Sequence, residues 1–378
     1  MDTLEEIYQK SLGSEKNFPH KKVLFIGTES YDSCSVSVIE GLNELGFEIY
    51  TIKKSNINSW FCNIVIDDPS QFVFDFVLSS LHWGTRWGYY KQYNLNHYLK
   101  VLIDGDDNLG WSRWQDKYAH YIKHYTYNPP EEIKNLEVAP YRWVESLDDY
   151  KPDIVFTGEK QFGDKGSYYL PFGIHKQYYS VAENKSLKER EFDFTHIPGP
   201  GIYRDRMIKL LKVCRRFKII PGRISNEGAY GRGNEIMPEK IREHIVNDYN
   251  VHSYHRWILD KVYFNLLNNS KVLIYPGIDH WPIWESKRPW EAYASGCLVL
   301  MSKPRTDVSQ YPLTQLCEYA VYGSYLEFIK KCRFLHKNPE ILDKYRMEAC
   351  SRAKKYFTAK PIANYFLQKI SEYVESKS

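Results

Sequence analysis

The segment KRPWEAYASG (287–296) sets two cations, a proline, a carboxylate and a glycine within one helical stretch. Proline suits a helix start and glycine a helix end. The spacing therefore predicts a helix that opens near Pro289, carries Glu291 in its first turn and closes at Gly296. A carboxylate at such a mouth can accept hydrogen bonds from both hydroxyls of a ribose. The free helix amides, with Lys287 or Arg288, can neutralise a diphosphate. A second segment, FDFTHIPGPGIYRDRMIKLL (192–211), offers related chemistry. Gly199 and Gly201 let the backbone approach a ligand closely. Arg204 and Arg206 follow, where helix amides would face a phosphate. The cations beyond them, from Lys209 to Arg223, read either as a solvated helix face or as contacts to an anionic acceptor, DNA phosphates included.

These groups need strands and helices to hold them. Val23 to Ile26 form an apolar run fit for a buried parallel strand. SVSVIEGLNELGF follows as a helix with Val36, Val38, Ile39, Leu42 and Leu45 on its apolar face and Gly46 just past its end. FEIYTIKK supplies a second strand, completing a βαβ unit that should cross over right-handed. Further strands are expected in CNIVI (62–66), FVFDFVLSS (72–80), YLKVLID (98–104) and PDIVFTG (152–158). Around 168–179 Pro171 and Gly173 break the pattern and a charge-rich stretch follows, which predicts a domain boundary.

The plan then restarts with FDFTH, a basic helix, FKIIPG, a helix around WILDKVYFNLLNN, KVLIYPG, the helix at RPWEAYASG and CLVLMSK. The expected fold class is α/β, two Rossmann-like doubly wound domains facing across a cleft. Residues 1–170 would form the first, 171–350 the second, and 351–378 a C-terminal helix able to pack back on the first. Tyr356, Ile362, Tyr365, Phe366 and Ile370 give that last segment an apolar stripe. At the other end Leu4, Ile7, Tyr8 and Leu12 mark a short amphipathic helix.

Composition bounds the function. The 378 residues are 43% hydrophobic and 26% charged, which excludes disorder. A formal net charge of +4 gives a dedicated nucleic-acid binder no support. Tyr 32 and Trp 10 are many, and such rings stack well on sugars or bases. The N-terminal stretch lacks the apolar core of a secretory signal, and no run is apolar and long enough to span a membrane. The 7 cysteines are scattered and never paired as CxxC, so reduced thiols in the cytoplasm are expected and a structural zinc site is not.

Fold alone does not choose among nucleotide-sugar glycosyltransferases, sugar-nucleotide epimerases and two-lobed binding proteins. Residues 268–304 do more, because Arg288, Glu291, Ala292, Ala294 and Gly296 occupy the places of an R-x-x-E-A-x-A-x-G helix between two apolar strands. This segment resembles the donor-binding motif of GT-B-fold glycosyltransferases, notably family 4 (glycosyl transferases group 1) and its spore-maturation-protein-like branch. Residues 192–211 resemble the start of the donor domain, and LPFGIH (170–175) resembles the linker that opens it. Family 4 enzymes carry a second glutamate eight positions earlier. Here that position is Ile283, and Glu285 is the nearest acid. Either Glu285 takes its place against the donor sugar, or the first carboxylate is dispensable, as in the spore-maturation-like branch.

The resemblance implies transfer from a nucleotide sugar, a UDP-sugar being favoured, with retention, without a metal and without a permanently bound cofactor. It puts the acceptor on loops of the first domain. The candidates there are Glu29 after the first strand, His82, Trp83 and Arg86 after FVFDFVLSS, and Asp104 and Asp106 after YLKVLID. His82 is the preferred catalytic group, since an imidazole there could touch the transferred sugar or an acceptor hydroxyl. Asp104-Gly105-Asp106 also spells the Asp-x-Asp of GT-A glycosyltransferases, whose carboxylates hold Mn²⁺ or Mg²⁺. A glycan, a small molecule or a hydroxylated DNA base would serve as acceptor, with HWGTRWGYY (82–90) and WSRW (111–114) available for stacking. The reading from another class is a non-catalytic two-lobed sugar or nucleotide binding protein.

Overall fold

The computed structural model describes residues 3–26, 33–52, 64–80, 93–104, 152–157, 167–174, 185–196, 219–221, 267–275, 287–303 and 316–378. In chain order these form α1 (Leu4–Ser11), β1 (Lys22–Ile26), α2 (Ser33–Glu44), β2 (Glu48–Thr51), β3 (Ile64–Val65), β4 (Phe76–Ser80), β5 (Lys100–Asp104), β6 (Ile154–Thr157) and β7 (Ser167–Tyr169). There follow β8 (Phe192–His196), β9 (Ile219–Pro221), β10 (Ser270–Tyr275), α3 (Lys287–Ala294), β11 (Leu298–Ser302), β12 (Val321–Tyr322), α4 (Tyr325–Lys337), α5 (Pro339–Tyr356) and α6 (Ala359–Glu375). They divide into two compact units. One holds the described residues up to 174 and again from 356, the other those from 185 to 355.

The first unit is built on a parallel sheet in the order β3-β2-β1-β4-β5-β6-β7. Strand numbers climb outward from β1 on one side and from β4 on the other, so the topological switch lies between these two. Leu24, Ile26, Val77 and Leu102 join Tyr50, Ile66, Phe74 and Leu95 in one buried cluster. Phe76 and Phe156 instead meet Phe366 of α6, with ring centroids 6.0 and 4.5 Å away. One strand is shorter than its apolar run. In 72–80, pairing starts only at Phe76, because Phe72 closes a 3₁₀ turn over Pro69–Gln71. Asp75 then accepts from the backbone amides of His20 and Lys22, at 3.3 and 3.0 Å.

The first and last described helices both lie in this unit. A reciprocal capping box opens α1: Thr3 Oγ1 accepts from the Glu6 amide at 3.2 Å, and Glu6 Oε2 accepts from the Thr3 amide at 2.6 Å. Leu12 does not extend the stripe of α1 as its spacing predicts. It follows the helix in extended conformation and is 48% exposed. The C-terminal stripe is likewise divided: Tyr356 ends α5 and its hydroxyl donates to Glu5, while Ile362, Phe366 and Ile370 are buried on α6. The amide of Ile174 donates to the Phe357 carbonyl at 2.6 Å, so the two stretches at this unit's border are paired.

The second unit repeats the plan with a parallel sheet in the order β12-β11-β10-β8-β9. This is the 2-1-3-4-5 arrangement of doubly wound sheets, and its switch lies between β8 and β10. The edge position of β9 suits Pro221, which has no amide to give a further strand.

Candidate functional site

Open α/β sheets take ligands beyond the carboxyl ends of their strands, at the switch point. In the second unit β8 and β10 pair there in parallel, with Val272 opposite Phe194 and Leu273 opposite Thr195. The chain that leaves β8 carries Gly199, Gly201, Arg204 and Arg206, and the chain that leaves β10 carries Glu285. These five lie outside the described residues. Lys287, Arg288 and Glu291 are all on α3, the first helix described after β10.

Helix α3 begins at Lys287, not at Pro289, so Glu291 lies in the second turn and not in the first. Proline fits inside the opening turn because the first four helix amides have no intrahelical acceptor to lose. Trp290, Ala292, Tyr293 and Ala294 are all buried, and Glu291 is 1% exposed among them. A helix enclosed on every side is normally apolar, and burying a carboxylate costs several kcal/mol unless it is matched. The Glu291 carbonyl accepts from the amide and hydroxyl of Ser295, at 3.0 and 2.9 Å. Lys287 and Arg288 hold the first two helical positions, at the positive end of the helix dipole.

The far end of α3 is fixed by two arginines that sequence reading missed. Gly296 has φ +67°, a left-handed value that glycine adopts without strain. Its amide donates to Tyr293 and that of Cys297 donates to Ala292, at 3.0 and 2.9 Å, which closes the helix in a Schellman turn. Arg190 donates to the carbonyls of Lys185, Leu267, Ser270 and Ser295. Arg346 donates to the Gly296 carbonyl at 3.2 Å and to Asp343 at 2.6 Å. Both are buried, and desolvation lowers the pKa of Arg190 below its ordinary value. Two cations thus face the negative end of the helix. The sequence does hold a partial signal for Arg190: Ser186 and Glu189 form a capping box, the S-x-x-E pattern, and Arg190 ends that turn.

In the first unit Glu29 follows β1 in sequence, and His82, Trp83 and Arg86 follow β4, the two strands that flank the switch. These four and Asp106 lie outside the described residues, whereas Asp104 is the last residue of β5, beside β4.

Two parallel, doubly wound sheets, each in its own unit, make this an α/β chain of two Rossmann-like domains, the GT-B class of fold. No family model matches the chain, and no curated protein matches its sequence. Solved structures do resemble it. Sucrose-phosphate synthase from Thermosynechococcus elongatus superposes with a TM-score of 0.51 at 12% identity, over 94% of this chain and 99% of its own. HepE from Anabaena, in complex with UDP-glucose, gives 0.53 at 10% identity over 94% and 99%. An alpha-glucosyltransferase in complex with UDP and a 13-mer DNA gives 0.56 at 12% identity over 93% and 99%. Among the described residues no helix is long and apolar enough to cross a membrane.

Proposed function

We propose that this chain is a glycosyltransferase that moves a sugar from a nucleotide-sugar donor, a UDP-sugar, to an acceptor hydroxyl, with retention and without a metal. One observation carries the reading. The sheet of the second unit switches between β8 and β10, and the segments leaving those strands bear the glycines, cations and carboxylates expected to hold a sugar nucleotide. Sucrose-phosphate synthase, and HepE with its UDP-glucose, support it as relatives in fold. Lys287 and Arg288 at the opening of α3 add to it, since cations there oppose the helix dipole until an anion sits between them. Scattered cysteines, with Cys297, Cys317, Cys332 and Cys350 buried and in no disulfide, suit work in the cytoplasm.

In this reading residues 171–350 bind the donor. Glu291 accepts from the ribose hydroxyls, Glu285 contacts the sugar, and Arg204, Arg206, Lys287 and Arg288 with the Gly199 and Gly201 amides hold the diphosphate. Residues 1–170 present the acceptor through Glu29, Trp83, Arg86, Asp104 and Asp106, with His82 beside the reacting centre. The bond from the anomeric carbon to the diphosphate oxygen breaks as that carbon bonds the acceptor oxygen. The acceptor proton passes to the departing phosphate, and the cations stabilise its growing charge. Thermal shift with UDP-, GDP-, ADP- and CMP-sugars tests the reading, because a true donor stabilises the folded chain by mass action. A UDP-sugar should raise Tm above the others, and no shift with any of them would reject it. Chelation should leave transfer intact, whereas complete loss with EDTA would favour Asp104 and Asp106 as metal ligands.

A second reading makes the acceptor a hydroxylated base in DNA. It is favoured by the likeness to a glucosyltransferase solved with DNA, and by the basic run Lys209 to Arg223. A duplex mobility shift that weakens steeply with salt would support it.

A further inference from the structure

Helix α4 turns a cationic and apolar face to solvent. Phe328, Cys332 and Leu335 are its buried side. On the opposite side lie Leu326, Lys330, Arg333, Phe334 and Lys337, which at about 100° per residue share roughly a third of the circumference. Leu326 is 66% and Phe334 37% exposed, and the three cations between and beside them are exposed as well. The one carboxylate of α4, Glu327, lies off this stripe, taken up by the Gly323 amide at 2.7 Å and by Lys331 at 3.2 Å. Among the described residues Lys330, Arg333 and Lys337 make no ion pair.

Phe334 is also held from behind. Its ring lies 5.5 Å from that of Tyr319, which stacks on Tyr345 at 5.1 Å and 25°. An ordinary solvated helix face mixes charges of both signs and pairs them at i, i+4. It does not set a leucine and a phenylalanine among unpaired cations. Nucleic acid would use the cations but would gain nothing from Leu326. Apolar side chains flanked by Lys and Arg, whose stems can lie along the same surface, are the composition of a helix resting at an anionic membrane interface.

We propose that the exposed face of α4 docks on an anionic phospholipid surface, with Leu326 and Phe334 entering between headgroups and Lys330, Arg333 and Lys337 on the lipid phosphates. The contact is peripheral and reversible, since one short face supplies all of it. It does not depend on the transfer reaction.

The test is flotation of the full chain with phosphatidylcholine vesicles and with vesicles of about three parts phosphatidylcholine to one part phosphatidylglycerol, at low and high salt. The chain should float with the anionic vesicles at low salt and be released at high salt. The combined variant Lys330→Glu, Arg333→Glu, Lys337→Glu should lower the partition coefficient by about 100-fold or more. Leu326→Ser with Phe334→Ser should lower it about 10-fold. All five positions are exposed, so unchanged melting curves would confirm that the variants fold. Equal flotation of wild type and variants, flotation with neutral vesicles alone, or no flotation beside a duplex DNA shift that the same variants abolish would each overturn the proposal.

Discussion

Arg190 donates through Nη2 to the carbonyl oxygen of Ser295 at 2.7 Å, which ties the residues just before β8 to the end of α3. The same guanidinium reaches Leu267, just before β10, and Ser270, its first residue, at 3.1 and 2.7 Å. One side chain thus joins the two strands of the switch to the helix that carries Glu291.

Replacing it should be costly. Arg190→Met would leave four carbonyls short of a donor and should lower stability by about 3–5 kcal/mol in urea unfolding. Arg190→Lys should recover only part of this, because an ammonium cannot reproduce the planar fork. A loss below about 1 kcal/mol would mean that the network contributes little beyond what water supplies.

Glu291→Gln keeps the volume that packs inside α3 and removes the charge. Donor KM should rise about 10-fold or more, the worth of hydrogen bonds to a charged group, with little change in Tm. An unchanged KM would reject Glu291 as the ribose acceptor.

The seat of α6 depends on a missing side chain. A Cβ on Gly41 of α2 would come 2.0 Å from the Ala359 carbonyl oxygen and 2.6 Å from Ala363 Cβ. Gly41→Ala should therefore push α6 away from α2 and destabilise the first unit by about 3 kcal/mol. Calorimetry that found wild-type stability would mean the two helices slide apart without penalty.

Alkaline pH should weaken the second unit. Burial pushes the Cys297 thiol from 9.0 up to about 12 and drives the Tyr293 phenol well above its ordinary value. Both groups are neutral when protonated, so between the unfolded and folded values only the unfolded chain loses the proton. The unfolded state then binds fewer protons, and stability falls as pH rises, for Cys297 from 9.0 to about 12. Each group contributes a slope of roughly 1.4 kcal/mol per pH unit inside its window. Urea midpoints that stayed flat over that range would show that these groups are not desolvated.

Much of the fold is legible in the sequence alone. Val23–Ile26 and Leu298–Met301 are apolar without a gap and buried without a gap, so each reads as a strand with no neighbour in view. Gly46 and Gly296 mark the ends of α2 and α3 because the left-handed turn there selects glycine by sterics alone. Local rules fail at the edges. The spacing puts the helix start near Pro289 although α3 starts at Lys287, since a proline is tolerated anywhere in the opening turn. Likewise β7 and β12 lie in none of the apolar runs that read as strands, whereas the equally short β3 and β9 stand out within CNIVI and FKIIPG.

The kind of elements, their alternation and the chemical types gathered after each strand are written in local sequence, because periodicity, capping and turn sterics act over a few residues. The strand orders, and with them which segments leave the switch between β8 and β10, arise only when the chain packs. Packing alone makes Arg190 and Arg346 the buried partners of α3, since the S-x-x-E pattern of Ser186 and Glu189 marks only the turn that Arg190 ends. Such roles depend on which distant carbonyls a side chain meets once the chain has packed, and no local spacing encodes that.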